Sequence, residues 1–487
     1  MAGKSAGAGA PAGTAGLRPL FIVAAACAAV AFFHQVLTLG RQGLWGDEIF
    51  TVVAADPARP LGEMFERYLL PDVHPPLHYL LMRAWLMAAP HADWAMRVPG
   101  LVAYAMTVAA AAVYPCRALG PVPRAVFTLL AATSFGTIYF AQEARSYHLL
   151  ALLAVAILYD MLDHDAAIRN GMTPRWRRLS VSAALGIVAS YTHYYGFLFC
   201  GAAVIVLIVA ALPRWTVALR FVAVGAAIVA AFAPWIALHA GSLAGQLGGA
   251  FWIDNAPGAI LRGFLRHLLS GAPAAALIAA LCLWAAQRRG PALLRDRSLL
   301  LVVAAAAITV AVAVALSFHT PTITARNLTM VRIALLLAIA MVIAEVATAR
   351  LAWVPIAAAG AALFAGFVIG AVPRASWREP MAHLRAATSC AHREILFHDG
   401  KGLTPDLAAY YLPEERFAFR RSGFGGDFAR ELASLNAAAP GCDIVAIALN
   451  LDPANPAERA ALAAAVPRTG YRLEEWPSAL VVRAAAP

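Results

Sequence analysis

The chain has 487 residues, of which 61% are hydrophobic and only 13% are charged. Soluble chains carry about 25% charged residues, so this composition excludes a soluble enzyme, a disordered protein and a disulfide-stapled secreted module. The formal net charge is +11, but the basic residues stand in short clusters between apolar segments and form no basic stripe. This distribution is the positive-inside pattern of a multi-span membrane protein, and it argues against nucleic acid as a partner.

Eleven apolar segments predict membrane-spanning helices, because about 20 apolar residues are needed to cross a bilayer core of roughly 30 Å. The predicted spans are 19–39, 98–115, 125–141, 147–162, 179–193, 196–212, 217–237, 271–287, 298–316, 328–347 and 351–372. The segments 179–193 and 196–212 are short, and only a turn at Tyr191–Gly196 separates them.

The arginines give the orientation of these spans. If the N-terminus is cytoplasmic, every second loop is basic, as the positive-inside rule requires. The basic residues of these loops are Lys4, Arg18, Arg117, Arg124, Arg169, Arg175, Arg177, Arg178, Arg214, Arg220, Arg288, Arg289, Arg295, Arg297 and Arg350. Residues 40–97, 142–146, 191–195, 238–270, 317–327 and everything after 373 are then outside. A cleaved signal peptide is the alternative for the N-terminus, although the first apolar run is long for one.

Three parts follow from this topology. Residues 1–18 are predicted to be a disordered cytoplasmic tail, and residues 19–373 an all-α membrane domain whose first outer loop is 40–97. The apolar segment Leu77–Ala88 within that loop is too short to span, so we interpret it as an interfacial amphipathic helix. Residues 374–487 have the composition of a small extracytoplasmic α/β domain.

This C-terminal part alternates between two patterns. Strand-like runs occur at 394–399, 415–420, 443–449 and 478–483, and helix-like runs at 404–412, 428–437 and 456–466. Cys390 and Cys442 belong to the same part and would lie in an oxidising compartment. A disulfide between them and two buried free thiols both remain open.

An acidic pair opens the first outer loop. Asp47 and Glu48 follow the first span directly, where adjacent carboxylates are costly unless they are solvated, paired or used in function. At the start of a helix, neighbouring side chains point about 100° apart, so at most one of the two would face a given pocket. Helix capping is the alternative, because a carboxylate near an N-terminus satisfies free backbone amides.

A rigid segment follows in the same loop. His74 precedes Pro75 and Pro76, which fix φ and exclude helix until about Leu77. His74 is therefore held just ahead of the interfacial helix. A turn carrying a surface histidine is an equally good interpretation of this segment alone.

Two further outer turns carry polar side chains. Arg145, in the sequence Gln142–His148 between the third and fourth spans, is placed to snorkel or to bind a phosphate in bidentate geometry. The turn Tyr191–Tyr195 contributes His193, for which metal ligation is a weak alternative, and Tyr194, for which an aromatic belt at the membrane surface is the alternative. Arg326 lies at the outer end of the tenth span. Arg332, about two turns deeper, needs a partner or a polar cavity and is a second candidate to bind the lipid phosphate.

Together these motifs resemble the GT-C membrane glycosyltransferases. The resemblance rests on the Asp-Glu pair, on the HPPL sequence before an interfacial helix, on QEARSY between spans three and four, and on THYYG. It covers roughly residues 40–335 and is nearest to the bacterial family-39-like branch, which is related to protein O-mannosyltransferases and aminoarabinose transferases. The C-terminal domain resembles no family that we can name.

The resemblance implies an activity and roles for named residues. A sugar would pass, with inversion, from a polyprenyl-phosphate donor to an envelope glycan, lipid or protein at the outer face of a bacterial cytoplasmic membrane. Asp47 would be the base and Glu48 would orient the acceptor. His74 and Arg145 would hold the donor phosphate. His193, Tyr194 and Arg326 are candidates for the rest of the substrate site because of their position in the outer turns, and not because of the resemblance.

Alternatives remain at this stage. Some relatives use a metal held by acidic residues spaced one residue apart, whereas here the carboxylates are adjacent, which argues against an obligatory metal; a divalent metal nevertheless stays open. A polytopic lipid or glycan transporter or flippase is the rival function, and it predicts charges near the bilayer midplane and an internal repeat. No clear repeat is visible, and the charges gather at the outer boundary, with Arg332 as the exception.

Overall fold

The computed structural model describes most of the membrane domain and parts of the C-terminal region. The described residues are 18–247, 256–347, 349, 351–371, 376–387, 393–398, 407–412, 417–422, 446–449, 460, 464, 471–476 and 479–484. Nearly all of the predicted tail 1–18 lies outside this set, as do Cys390 and Cys442. The disordered tail and the disulfide therefore stay predictions.

The described chain is mainly helical up to residue 387. The helices are α1 (Arg18–Thr38), α2 (Gly46–Ala54), α3 (Leu61–Glu63), α4 (Leu77–Leu86), α5 (Asp93–Val113), α6 (Pro121–Thr133), α7 (Phe135–Ala141), α8 (Tyr147–Arg169), α9 (Trp176–Thr192), α10 (Tyr194–Ala211), α11 (Trp215–Leu247), α12 (Pro257–Leu269), α13 (Ala272–Arg289), α14 (Arg297–Ser317), α15 (Thr329–Ala344), α16 (Trp353–Gly370) and α17 (Arg378–Ala387). A π-helical turn, Met64–Leu69, continues α3. The strands are β1 (Arg393–His398), β2 (Phe417–Ser422), β3 (Ala446–Leu449), β4 (Tyr471–Trp476) and β5 (Ala479–Ala484).

All eleven predicted spans fall on helices of the described chain, although not all of them satisfy the criteria for a span by themselves. By length and composition, five helical stretches can cross a membrane, or up to seven when the bent pairs α6–α7 and α12–α13 each count as one. One stretch, Tyr194–Gly241, contains both α10 and most of α11. The predicted spans on α8, α9 and α15 are not among these stretches, and α9 and α15 are short, with 17 and 16 residues.

The segment predicted to be the first outer loop contains the expected short helix. Helix α4 begins at Leu77, directly after the two prolines, and ends at Leu86, two residues before the predicted end. With 10 residues it is too short to span. Its interfacial location stays a prediction.

Contacts divide the chain into two compact units, each of which is described by itself. The first unit comprises Met1–Leu37, Pro60–Leu81 and Arg97–Ala371. The second comprises Thr38–Arg59, Met82–Met96 and Val372–Pro487. The predicted domain boundary at 373 and 374 is a separate question and stays a prediction.

Helices α8 and α15 form the centre of the first unit. Helix α8 packs on α9, α10, α14 and α15, and α15 also packs on α6 and α13. Most of α8 is buried, including its acids. Those acids are paired, because Asp163 accepts a hydrogen bond from Arg178 at 3.1 Å and Asp165 one from Arg297 at 2.8 Å. This pairing explains how a helix with charged residues can occupy a core.

The periphery of the same unit is apolar and exposed. Leu37, Val113 and Ile369 are 75%, 77% and 86% exposed, and they lie on α1, α5 and α16. Large apolar side chains on the outside of helices are typical of a protein in contact with lipid. The structure therefore has the character of a multi-pass membrane protein.

Two breaks in the helices have identifiable causes. Helices α6 and α7 are bent by 54° at Ser134, whose backbone is extended. Helices α12 and α13 are bent by 73° at Ser270 and Gly271, whose φ values are 57° and 130°. Glycine adopts the φ of Gly271 without strain, so Gly271 permits this bend.

The described part of the C-terminal region contains a five-stranded sheet with the strand order β2-β1-β3-β5-β4. Strand β1 is parallel to β2 and β3, whereas β5 is antiparallel to β3 and β4. The four predicted strands correspond to β1, β2, β3 and β5, and β4 was missed. The predicted helices fall mainly outside the described residues, so the α/β character of this region stays a prediction.

Candidate functional site

Segments of the first unit that are distant in sequence meet at Arg145. This residue lies in the turn between α7 and α8, and 6% of it is exposed. Its Nη2 atom is 3.1 Å from Nε2 of His74, and its Nη1 donates a 3.4 Å hydrogen bond to the Tyr79 hydroxyl. The two residues that the sequence assigned to the donor phosphate, His74 and Arg145, are thus direct neighbours.

Asp72 supplies the negative charge of this cluster, and the sequence analysis did not single it out. Its Oδ2 atom is 3.0 Å from Nδ1 of His74 and accepts a 2.5 Å hydrogen bond from the Tyr79 hydroxyl. Nδ1–H of His74 and the Tyr79 hydroxyl both donate to this carboxylate, which can only accept.

The ionisation of Asp72 follows from these contacts. Burial alone would raise the pKa of Asp72, but the charges of His74 and Arg145 and the hydrogen bonds from His74 and Tyr79 lower it to about 2. Burial and the Asp72 charge raise the pKa of Tyr79 well above its ordinary value. At neutral pH the carboxylate is therefore ionised and the phenol is neutral, so Asp72 balances Arg145.

The first turn of α4 is tied to the same turn as Arg145. Nε2 of His78 lies 3.3 Å from the Ala144 carbonyl oxygen, to which it donates. Burial and the nearby Arg145 charge lower the pKa of His78 to about 3. This neutral histidine therefore joins the loop before α4 to the turn before α8 without adding charge.

His193 forms another wall of the cluster. Its ring centroid is 5.3 Å from that of His74. Its Nδ1 accepts the Tyr195 N–H at 3.1 Å and so caps α10, which leaves the proton on Nε2. His193 is 4% exposed, and within the described residues Nε2 has no hydrogen-bond partner. Arg326 lies near enough for its charge to act on this ring.

Tyr194 has a supporting position. Its hydroxyl accepts a hydrogen bond from Trp235 Nε1 at 3.1 Å and lies 2.8 Å from Nδ1 of His239. Nε2 of His239 in turn donates to the main-chain carbonyl of Asp72. This chain of hydrogen bonds connects α10 and α11 to the loop that carries His74. His239 was missed because a lone histidine in an apolar helix resembles an ordinary core residue.

The acidic pair belongs to the second unit, where it begins α2. Glu48 is fully buried, and its Oε2 accepts the Trp45 N–H at 3.4 Å. Asp47, in the first turn of α2, is only partly buried. The alternative interpretation of the acidic pair, helix capping, therefore fits the contact of Glu48 with the Trp45 N–H at the start of α2. Asp47 and Arg145 belong to different units, so the catalytic roles of Asp47 and Glu48 stay predictions.

Across the part of the chain that the structure describes, no three His, Cys, Asp or Glu side chains converge as metal ligands. The carboxylate of Asp72 is already occupied by His74 and Tyr79.

Comparisons with known proteins were informative only for structure. No protein-family model and no curated protein sequence matches the chain. Its structure is similar to the crystal structure of ArnT from Cupriavidus metallidurans bound to undecaprenyl phosphate, with a TM-score of 0.57 and 16% sequence identity, covering 96% of this chain and 98% of that one. The chain has the GT-C fold. The apo structure of the same ArnT gives a TM-score of 0.57 at 15% identity over 95% of this chain and 97% of that chain.

The similarity extends beyond the region that the sequence motifs identify. The GT-C motifs cover roughly residues 40–335, whereas the structural match covers nearly the whole chain. The identity is low, so the match establishes the fold and leaves the chemistry to the residues of the site.

Proposed function

We propose that the chain is a glycosyltransferase that moves a sugar from a polyprenyl-phosphate donor to an envelope acceptor. The observation that carries the proposal is the buried cluster of Arg145, His74 and His193, placed on a GT-C fold. A guanidinium beside two imidazoles offers N–H donors to a phosphate oxygen. The ArnT structure with the same fold is described as bound to undecaprenyl phosphate.

The reaction needs little from the protein beyond a base and a phosphate site. The acceptor hydroxyl loses its proton to Asp47, and its oxygen forms a bond to the anomeric carbon of the sugar. The bond from that carbon to the phosphate oxygen breaks, and polyprenyl phosphate leaves with the electron pair. Attack opposite the leaving group inverts the anomeric centre.

The roles of the other residues follow from their contacts. Arg145 and His74 hold the leaving phosphate, and the buried Nε2–H of His193 is a further donor to it. Asp72 and Tyr79 position this group. Glu48 supports the base through the start of α2, Tyr194 supports the loop through His239, and Arg326 adds positive charge near His193.

The location follows from the arginine pattern of the sequence. We propose a multi-pass protein of the bacterial cytoplasmic membrane, with a cytoplasmic N-terminus, a site at the outer face and a C-terminal region outside. The donor is a hexosyl or pentosyl polyprenyl phosphate, and the acceptor is a glycan such as lipopolysaccharide, a lipid or a protein.

A lipid profile of a strain lacking the gene tests this proposal. We expect a polyprenyl-phosphate sugar to accumulate, because its consumer is absent, and an envelope glycan, lipid or protein to lose one sugar. The wild-type gene should reverse both changes and Asp47→Asn should reverse neither. The matched control is Asp56→Asn in the same unit, whose carboxylate accepts the Ala58 N–H at 2.9 Å.

The same experiment separates the rival function. A flippase or transporter would leave its cargo lipid unchanged in amount or trapped before transport, and its function would not depend on a base at residue 47. Full complementation by Asp47→Asn would therefore exclude the proposed mechanism.

A further inference from the structure

A second buried cation lies in the first unit, apart from the Arg145 cluster. Arg332 is in the first turn of α15 and is 1% exposed. Its Nη2 donates a long 3.4 Å hydrogen bond to Thr329, whereas Nε and Nη1 have no acceptor among the described residues. An unpartnered guanidinium at such a position is costly, so its presence calls for a function.

The surroundings of Arg332 leave its charge uncompensated. Its guanidinium lies 5.1 Å from the centre of the Phe140 ring, and a cation–π contact offsets only part of the desolvation cost. Within the described part of the chain Arg332 makes no ion pair. Other cations of the bundle do, since Arg178 pairs with Asp163 and Arg289 pairs with Glu345.

Gly136 creates the space for this side chain. A Cβ atom at residue 136 would lie 2.6 Å from both Cζ and Nη1 of Arg332. Gly136 follows the break between α6 and α7, so the bend at Ser134 and the absence of a side chain together accommodate the guanidinium. The local structure is therefore arranged around the arginine.

Aromatic rings connect Arg332 to the first cluster. The Phe140 ring stacks on the His267 ring, with 5.2 Å between their centroids, and its centroid is also 5.2 Å from that of Tyr147. The centroid of the Tyr147 ring is in turn 6.0 Å from that of His193. Two rings thus separate Arg332 from the proposed phosphate site. Both cations belong to the first unit.

The charges of the two sites differ. Arg145 is balanced by ionised Asp72, whereas Arg332 carries one unbalanced positive charge. A polyprenyl-phosphate sugar is a phosphodiester with one negative charge, and the released monoester carries nearly two. A reaction that produces additional negative charge, or that uses an anionic acceptor, has a use for an uncompensated cation nearby.

We propose that Arg332 is the centre of a second oxyanion-binding site, which takes a phosphate or carboxylate group of a substrate or product. The inference rests on the proposed function for the origin of the anion. The oxyanion belongs either to the released polyprenyl phosphate or to the acceptor. In both cases Nε–H and Nη1–H of Arg332 donate to it.

Binding measurements on the purified full chain in detergent test the site. The first probe is undecaprenyl phosphate, with undecaprenol as the uncharged control. The second probe is inorganic phosphate at constant ionic strength, followed through the thermal stability of the protein. The variants are Arg332→Gln, Arg332→Lys and the control Arg220→Gln, whose guanidinium donates to the Pro174 carbonyl at 2.7 Å.

Two results would support the site and identify its ligand. If Arg332→Gln weakens the binding of undecaprenyl phosphate about tenfold or more and leaves the binding of undecaprenol unchanged, the anion is the polyprenyl phosphate. If undecaprenyl phosphate is unchanged but stabilisation by inorganic phosphate is lost, the anion belongs to the acceptor. Arg332→Lys should keep part of the binding or stabilisation that Arg332→Gln loses. The control Arg220→Gln should behave like the wild type in both measurements.

One result would overturn the proposal: Arg332→Gln retains both responses. If Arg332 has a purely structural role, Arg332→Gln should retain both responses and should melt at a lower temperature than the wild type without ligand. If its charge is uncompensated, the variant without ligand should melt at the same or a higher temperature than the wild type. Because neither readout is sugar transfer, failure of this site leaves the proposed function standing. Failure of the proposed function would show instead in full activity of Asp47→Asn.

Discussion

The electrostatic pairing of Asp72 with Arg145 can be measured by removing each charge separately and then both. The perturbations are Asp72→Asn, Arg145→Gln and the double variant. The asparagine keeps an acceptor for the Tyr79 hydroxyl, so the change removes mainly charge. Only 15% of the Asp72 side chain is exposed, so solvent screens its interactions weakly.

The structure gives the magnitude. The pKa of Asp72 falls from 3.8 to about 2, which corresponds to roughly 2 kcal/mol in favour of the ionised carboxylate. Asp72→Asn should therefore lower the free energy of unfolding by about 2 kcal/mol at pH 7. Arg145→Gln should cost at least as much, because it leaves Asp72 buried without its cation.

The pH dependence has a defined sign. A depressed folded-state pKa contributes stability that is fully present above the unfolded value of 3.8 and is lost as the pH falls towards about 2. This contribution to acid destabilisation should be present in the wild type and absent in Asp72→Asn.

Unfolding in mixed micelles, followed by tryptophan fluorescence, provides the assay. The double variant should be more stable than the sum of the single effects predicts, by at least about 1 kcal/mol. Asp56→Asn, with a side chain that is 42% exposed, is the control and should change stability by about 0.5 kcal/mol or less. Additive effects of Asp72→Asn and Arg145→Gln would show that the two residues are not electrostatically coupled.

Four further predictions follow from the same structure. Arg145→Ala should weaken binding of undecaprenyl phosphate about tenfold or more, and unchanged affinity by fluorescence titration would assign the phosphate site elsewhere. Gly136→Ala should lower stability by about 1–3 kcal/mol, because the added methyl collides with Arg332; a neutral effect on thermal unfolding would contradict the described packing. A cysteine introduced by Met172→Cys should not react with an impermeant thiol reagent added outside intact cells. Labelling at this position would show that residue 172 lies outside and would contradict the proposed topology. Transfer should survive a metal chelator, and its loss with recovery on adding Mg²⁺ or Mn²⁺ would establish a metal requirement.

Much of the site was accessible from local sequence signals. The prolines after His74 predict where α4 begins, and the structure confirms helix from Leu77. Arg145 and His193 stand in turns between apolar segments, so both were recognisable as polar groups at one end of the bundle. The structure brings both of them next to His74.

The missing parts of the site depend on long-range contacts. Asp72 is only two residues from His74, but its value as a counter-charge depends on Arg145, which is 73 positions further along the chain. His239 reaches the Asp72 carbonyl from α11, and no periodicity reports such a contact. Arg332 was visible as a charge within a span, whereas the glycine that makes room for it could be identified only in the structure.

The same limit applies to the fold. Apolar runs located the helices well, but composition could not show that the acids of α8 are buried and paired with Arg178 and Arg297. Strand β4 was missed because Tyr471–Trp476 contains three charged residues, which weakens its strand pattern. Pairing with β5 supplies what the local sequence lacks.

The central claim concerns chemistry at residue 47, and the release of polyprenyl phosphate tests it most directly. Purified protein is mixed with lipid and envelope extracts from the strain lacking the gene, and the lipids are followed by mass spectrometry. The account predicts that the wild type converts the accumulated polyprenyl-phosphate sugar into polyprenyl phosphate while the acceptor gains one sugar, and that folded Asp47→Asn does neither. Equal release by the two proteins, or no release by the wild type, would contradict it.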